Sequence, residues 1–386
     1  PDDRERIGVL TGVGVAFKLV QALRGASAGD SELRKLLDLV TLGTIADMGK
    51  ITGENRILVR EGLAMLSSNS DQLRPGVAAL KEVGGLAGKR ITAGTVGFSL
   101  APRINASGRL ERADKAFNLL TTQDADEALR IAQELDELNR ERQEVEEGIC
   151  YDARRICMKE DLEKTGALVL ASDAWHPGVV GIVASRIVEE FYRPAVLIAL
   201  KEGTGKGSAR SIPGFDMYHA LSQCADLLMG FGGHKYAAGL SVAEEKIPLL
   251  RERLNNIALD AFRNTGFVRT ITIDAPVTFD DLTLDIMQGI ERMAPFGLGN
   301  PEPRLGAKGL EIISMRTVGN GNKHLKMRLR QNTAASFDAI AYGKGDRFGN
   351  VLRQGSRIAA VFTPRFNTWN GATNIELDIR DVKLEK

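Results

Sequence analysis

At 386 residues, and at ~100–200 residues per domain, the chain has the length for about two to four domains and a substantial core. Hydrophobic residues at 43% and charged residues at 26% exclude a disordered or collagen-like chain despite 41 glycines. With 51 basic and 50 acidic side chains the net charge is +1, which excludes a uniformly basic nucleic-acid coat but leaves room for one local basic surface.

The cysteines Cys150, Cys157 and Cys224 form no CxxC pair, so neither a disulfide framework nor a cysteine zinc site is indicated, and a reducing cytosol fits. No apolar run approaches the ~18–20 residues of a membrane span, and no signal-peptide pattern opens the chain. Pro1 followed by Gly12-Val-Gly-Val-Ala-Phe17 reads as a start inside a domain, so a missing N-terminal segment is expected.

Between Leu33 and Val59, helix-spaced Leu36, Leu37, Leu39 and Val40 lead into a strand-like run, Leu42-Gly-Thr-Ile-Ala-Asp47. A turn at Gly53-Glu-Asn55 and another helical run follow, an α/β texture. Asp124 to Glu163 opens with the capping-box pattern Asp124-x-x-Glu127 and carries one apolar stripe: Leu135, Leu138, Val145, Ile149 and Ile156. It is expected to be a long connecting helix whose Glu134, Asp136, Glu137, Arg140, Glu141, Arg142, Glu144, Glu146 and Glu147 are solvated. Ala167–Ala171, a helix over Val179–Phe191 and a strand over Ala195–Leu200 make a βαβ unit in a second α/β domain. Beyond Thr265-Gly266, short strands are expected at 268–273, 309–315, 325–329, 339–342, 357–362 and 375–379, as in a small oligonucleotide-binding barrel. The resulting division is 1–122, a connecting helix 123–164, 165–265 and 266–386.

Familiar nucleotide and metal signatures fail. Gly12-Val-Gly14 lacks its third glycine, Gly205-Lys206 lacks the rest of a P-loop, and His176, His219, His234 and His324 never take HExxH spacing. Three segments hold more. Ala101-Pro-Arg-Ile-Asn-Ala-Ser-Gly-Arg109 offers two guanidiniums, an amide and a hydroxyl, the donor set of a phosphate clamp; it equally describes a surface loop whose arginines bind water or carboxylates. Gly203-Thr-Gly-Lys-Gly-Ser-Ala-Arg-Ser211 has the composition of an anion nest around Lys206, Ser208, Arg210 and Ser211, or of a flexible hairpin tip. Phe231-Gly-Gly-His-Lys-Tyr-Ala-Ala-Gly239 allows close backbone approach beside His234 and Lys235, although a lone histidine is more often structural. Trp175-His176-Pro-Gly leads into a helix through a glycine turn, and His176 is ambiguous. Asp47 ends the strand-like run, where α/β sheets collect ligands, although one aspartate makes no metal site and a turn or cap before Gly49 is the commoner role for such a residue.

From Arg304 to Arg365 there are twelve Lys or Arg against three Asp or Glu. Lys326, Arg328 and Arg330 alternate and share a strand face, with Lys323 just before. Phe337, Tyr342, Phe348, Phe362, Phe366 and Trp369 lie nearby; those exposed among cations would form a base-stacking platform. Phe362 is expected inside and Trp369, in an Asn367–Gly371 loop, outside.

In order and approximate spacing, Leu42–Asp47, Ala101–Arg109, Trp175–Arg186, Gly207–Ser211, Gly232-Gly-His234 and Pro295-Phe-Gly-Leu-Gly-Asn-Pro-Glu-Pro303 resemble the RecJ family of single-strand-specific exonucleases, in the DHH phosphoesterase superfamily. The resemblance covers essentially the whole chain. It implies an α/β protein: a remnant of a DHH phosphoesterase domain, a long connecting helix, a DHH-associated substrate-binding domain and a C-terminal OB-fold barrel. The implied activity is 5′→3′ hydrolysis of single-stranded DNA in repair and recombination, in the cytoplasm, with two divalent metals, Mn2+ or Mg2+. Single-stranded DNA, a helicase and a single-strand-binding protein are the implied partners, and no membrane is involved. By motif position, Asp47 is a metal ligand and His234 sits at the active cleft. Arg103, Asn105 and Arg109 line the substrate phosphates, Ser208 and Arg210 hold the 5′-terminal phosphate, and Lys323, Lys326, Arg328, Arg330 and Trp369 bind DNA on the barrel. The family's DxD, lone Asp and Asp-His-His motifs belong upstream of Gly12-Val-Gly14, so the metal site is expected to be incomplete and this chain to bind the strand weakly without cutting it. The alternatives are a non-catalytic binding fragment, or a relative acting on short oligonucleotides or cyclic dinucleotides.

Overall fold

A helix of mixed polarity buries its apolar stripe, whereas one that is apolar or small on every side can be buried all round. The second case applies near the start of the chain. The computed structural model describes residues 9–24, 31–68, 73–332, 336–369 and 371–385. Helix α1 (Gly12–Arg24) places Phe17 against Val40 of α2 (Leu37–Ala46), with Leu33 from a single turn completing the cluster. Leu42-Gly-Thr-Ile-Ala46, expected as a strand, is the second half of α2. A short apolar run does not distinguish strand from buried helix, and the helical spacing of Leu36–Val40 continues through it. The supposed turn at Gly53 is instead the start of α3 (Gly53–Ser67), which lies so close to α2 that a methyl group on Gly62 would fall 1.9 Å from Thr41 Oγ1.

By its contacts the chain divides into one unit of Pro1–Ser68, Ile91–Gly94 and Ile271–Lys386 and another of Asn69–Arg90 and Thr95–Thr270. The second unit opens with α4 (Pro75–Val83), a wide helical turn at Val96–Leu100, α5 (Ala101–Leu110) and α6 (Asp114–Thr121). Ala101–Arg109 is therefore helix rather than loop, continuous with the wide turn before it, and Pro102 stands where that turn gives way to regular helix. Helix α7 (Ala125–Cys157) starts as expected, with Asp124 accepting from Glu127 N at 2.9 Å, and ends before Glu163. Leu135, Leu138 and Ile149 are buried, but so are Asp136, Arg142 and Glu146, which the sequence pattern assigns to solvent.

A five-stranded sheet follows in the order β1-β2-β3-β5-β4: β1 (Leu168–Ser172), β2 (Ala195–Lys201), β3 (Thr204–Arg210), β4 (Leu228–His234) and β5 (Ala237–Ala243). The parallel β1–β2 pair flanks α8 (Val180–Phe191), the expected βαβ unit. Leu168, Leu170, Ala195 and Leu197 pack with Ile149 and Ala153 of α7 and Val183 and Ile187 of α8. On the opposite face, Val169, Val196 and Ile198 pack with α9 (Met217–Ser222) and α10 (Ile247–Ala261).

In the first unit, β6 (Ala275–Pro276), α11 (Leu284–Arg292), β7 (Leu305–Val318), β8 (His324–Gln331), β9 (Ser336–Ala341), α12 (Gly345–Gly349), β10 (Arg357–Trp369) and β11 (Ala372–Leu384) complete the fold. The order β10-β11-β9-β8-β7 closes through β10–β7 pairing into a five-stranded OB-like barrel around Leu310, Ile312, Leu329, Phe362 and Leu377. Val268–Ile273 is not a strand, since β-branched composition makes none without a neighbour to pair with. The loop expected at Asn367–Gly371 is shorter: β10 and β11 pair as far as Trp369 and Ala372. Phe362 is fully buried; the side chain of Trp369 lies outside the described residues. The Pro295–Pro303 segment and the helix end just before it are tied to the N-terminal helices: Ile51 N donates to Leu298 O at 2.6 Å, and Arg56 Nη2 donates to the carbonyls of Arg292, Met293 and Ala294 at 3.2, 2.9 and 3.2 Å. No helix among the described residues is long and apolar enough to cross a membrane.

Candidate functional site

Alternation along β3 sends Ser208 and Arg210 to the face covered by α8, while Ala209 enters the opposite core. A methyl group on Gly181, in the first turn of α8, would lie 3.0 Å from Ser208 Oγ and 3.1 Å from Arg210 Nη2, so glycine there lets the helix start come down onto both side chains. Arg109, near the end of α5, closes the other side of that turn: its Nη1 donates to Gly178 O at 3.2 Å, and a methyl group on Gly178 would fall 2.2 Å from Arg109 O. His176 Nδ1 accepts from Gly178 N at 3.1 Å and shapes the same turn.

The electrostatics favour an anion. Burial, and then neighbouring Arg109, push the Arg210 guanidinium below its usual pKa; burial and then Arg142 do the same to Arg109, with Glu146 opposing. Among the described residues neither Arg109 nor Arg210 pairs with a carboxylate; Arg210 Nη1 donates only to the Ala209 carbonyl, at 2.9 Å. Two half-buried guanidiniums, a hydroxyl and the positive end of a helix therefore converge, an arrangement that phosphate oxygens satisfy.

Strand register extends this seat. Ser208, Gly239 and Gly232 stand in one row across β3, β5 and β4, and Arg210, Ala237 and His234 in the next. Methyl groups on Gly232 and Gly239 would meet nothing within 4 Å, so an open glycine floor separates Arg210 from the exposed His234, two strands or ~10 Å away. Gly203–Ser211 is not a nest: the peptide groups of β3 are engaged with β2 and β5, and Lys206 is an exposed mid-strand residue.

The other expected residues are placed differently. Arg103 is mostly buried and already engaged, donating from Nε to Asp136 Oδ1 at 2.8 Å and from Nη1 to Ser99 O at 2.7 Å, while Asn105 is exposed on α5. Asp47, in the first unit, caps α2 rather than ending a strand; its N–H donates to Gly43 O at 3.0 Å and its side chain is exposed. No group of three His, Cys, Asp or Glu able to hold a metal occurs among the described residues. On the barrel, Lys326, Arg328 and Arg330 share the outer face as expected, yet each faces a carboxylate: Glu376 at 3.6 Å, Asp338 at 3.5 Å and Glu311 at 2.8 Å. Lys323 is exposed, and Phe348 is core.

Sequence reasoning assigned Asp136, Arg142 and Glu146 to solvent, where the structure buries them, and gave Arg186 no role of its own. Arg142 donates to Glu146, whose other oxygen lies 2.5 Å from Arg186 Nη2 of α8. The available signal was spacing: Asn139, Arg142, Glu146, Ile149 and Ala153 continue one stripe at steps of three and four, all of it buried.

Comparison with known proteins agrees with the architecture. The family profile described as the DHHA1 domain matches residues 164–260, and that of the RecJ OB domain matches 273–381. The single-stranded-DNA-specific exonuclease RecJ of Bacillus subtilis (strain 168) is 39% identical over 98% of this chain and 47% of its own length. RecJ of Salmonella typhimurium is 36% identical over 97% of this chain and 67% of its own. A crystal structure of RecJ from Thermus thermophilus in complex with Mg2+ superimposes with a TM-score of 0.82 at 34% identity, covering 97% of this chain and 56% of that one. The chain thus spans about half the length of the Bacillus relative. With both domain profiles in sequence order and this identity sustained along the chain, it belongs to the RecJ family.

Proposed function

We propose that this chain supplies the strand-gripping part of a divalent-metal-dependent exonuclease that degrades single-stranded DNA 5′→3′ in cytoplasmic DNA repair and recombination. The observation that carries the reading is the seat formed by Ser208, Arg210, Arg109 and the first turn of α8, where two half-buried guanidiniums have no carboxylate partner among the described residues. A 5′-terminal phosphate brings a charge of about −1.5 to −2 and three acceptor oxygens. In this reading Ser208 and Arg210 take that terminal group, Arg109 lies beside it, and the strand crosses the glycine floor toward His234. Arg103 acts through α5, which carries Arg109, and exposed Asn105 is available to a following phosphate. The barrel's Lys323, Lys326, Arg328, Arg330 and Trp369 hold the strand more loosely, and a helicase and a single-strand-binding protein are the partners the reading implies.

RecJ structures hold Mg2+ or Mn2+, and the reading extends that requirement to the reaction this chain serves. The described residues do not fit a two-metal centre: Asp47 is one exposed carboxylate and no group of three ligand-type side chains gathers among them. No hydrolytic step is assigned to them.

The test is binding of oligothymidylates that differ only in a 5′ phosphate or 5′ hydroxyl. The chain should favour the phosphorylated end and Arg210→Ala should remove the preference; equal discrimination before and after substitution rejects the seat. Incubation with manganese completes the test. Binding without cleavage fits a gripping role, whereas turnover abolished by Asp47→Ala assigns catalysis to this chain.

A further inference from the structure

Beside the phosphate seat lies a charge cluster to which that reading gives no task. Glu146 is 1% exposed, at the centre of α7, between two guanidiniums. Arg142, one turn earlier and 8% exposed, donates to one carboxylate oxygen and, through Nη2, to Asn139 Oδ1 at 3.1 Å. Arg186, from α8, reaches the other oxygen at 2.5 Å and keeps half of its side chain in solvent. A carboxylate this deep is costly unless paired on both sides, and here the pairing joins the long helix to the helix whose first turn forms the seat. Below Glu146 on the same stripe, Ile149 and Ala153 pack against Val183 and Ile187 of α8, so the ion pair is the polar end of one α7–α8 interface.

We propose that Glu146 is a positioning residue for terminal-phosphate recognition: it holds α8 against α7 through Arg186 and neutralises the buried Arg142, so that Gly178 and Gly181 present Arg109, Ser208 and Arg210 in one fixed arrangement. This rests on the seat being a phosphate site. Attraction and discrimination then separate. Attraction of any DNA end follows the summed positive charge, which a carboxylate lowers. Discrimination between a phosphorylated and a hydroxyl end needs donors fixed where the extra oxygens sit, which the carboxylate secures. Losing the Glu146 charge should therefore leave overall affinity intact or raise it, and still blunt the preference. A merely structural residue would lower affinity for both ends alike.

The experiment measures the ratio of dissociation constants for 5′-hydroxyl and 5′-phosphoryl oligothymidylates of equal length with the full 386-residue chain, below the melting transition, for wild type, Glu146→Gln and Glu146→Asp. The ratio should fall about fivefold in Glu146→Gln, with affinity for the hydroxyl end unchanged or higher, and recover in Glu146→Asp, which keeps the charge. An unchanged ratio in Glu146→Gln overturns the assignment while leaving the seat in place. A wild-type ratio of one overturns the seat and this inference together. Should Glu146→Gln not fold, the paired change Arg142→Gln with Glu146→Gln removes both buried charges at little cost in stability; it is expected to lose the preference, and retention of the preference overturns the proposal.

Discussion

Arg103 and Asp136 form an ion pair between α5 and α7, 2.8 Å from Nε to Oδ1, with both side chains mostly buried. The same carboxylate also receives Arg140 Nη2 at 2.7 Å, and Arg103 Nη1 is spent on Ser99. An arginine committed in this way supports the helix that carries Arg109. Asp136→Ala would leave Arg103 half-satisfied and should lower unfolding free energy by about 1–3 kcal/mol in denaturant titration. Unaltered stability would mean that Arg103 is free to serve a ligand directly.

Gly181 offers a test of the seat that removes no charged group. Its missing side chain leaves 3.0 Å to Ser208 Oγ and 3.1 Å to Arg210 Nη2. Gly181→Ala must displace the arginine head by a few tenths of an ångström, which its flexible stem permits, so the fold should survive with a loss of about 1 kcal/mol. Preference for a 5′-phosphorylated end should fall about threefold. Full preference in a well-folded Gly181→Ala chain would place the phosphate elsewhere.

Acid titration should separate two carboxylates on the barrel in opposite directions. Burial raises Asp378 above the usual carboxylate value, with Arg380 and Arg365 opposing, whereas the hydrogen bond from Arg330 holds Glu311 below it. The folded state therefore binds a proton at Asp378 more readily than the unfolded chain, so this group adds stability as pH falls through its raised value. Glu311 does the reverse: its contribution is complete above the unfolded value of ~4.3 and is lost as pH drops from there through its lowered folded value. Carboxyl carbon NMR should show Asp378 titrating above the ordinary aspartate value and Glu311 below the ordinary glutamate value, and a displacement of either in the other direction would refute its assigned environment.

How much of this was legible beforehand depended on the range of the interaction. Leu168–Ser172, Val180–Phe191 and Ala195–Lys201 announce themselves, because short apolar runs between glycine and proline turns bury only one way in a βαβ unit. Leu42–Asp47 did not, since local hydrophobicity is the same for strand and buried helix. The glycines at 205 and 207 suggest a flexible nest, yet they are small for packing: methyl groups there would fall 2.4 Å from Ile198 and 2.9 Å from Leu240. Arg142 and Glu146 look like a solvated i, i+4 pair until Arg186 arrives from another helix. Ser208, Arg210 and His234 stand out in their motifs, but the row linking Arg210 to His234 exists only once β3, β5 and β4 are in register.

The barrel's cations were expected to bind phosphates, and the structure shows what a strand would have to displace first. Arg330 already donates to Glu311 at 2.8 Å across β7 and β8, and Lys326 and Arg328 face Glu376 and Asp338. If single-stranded DNA follows this outer face, each cation must give up a carboxylate to gain a phosphate, so affinity should be modest and strongly weakened by salt. Glu311→Gln releases Arg330 without removing it. Binding of an oligothymidylate should then tighten, and the slope of log affinity against log salt should steepen by up to about 0.7, the contribution of one additional phosphate contact on a single strand. Lys326→Ala should move the slope the other way. If neither substitution changes the slope, the strand does not run along β8, and its grip belongs to the Arg109 and Arg210 seat alone.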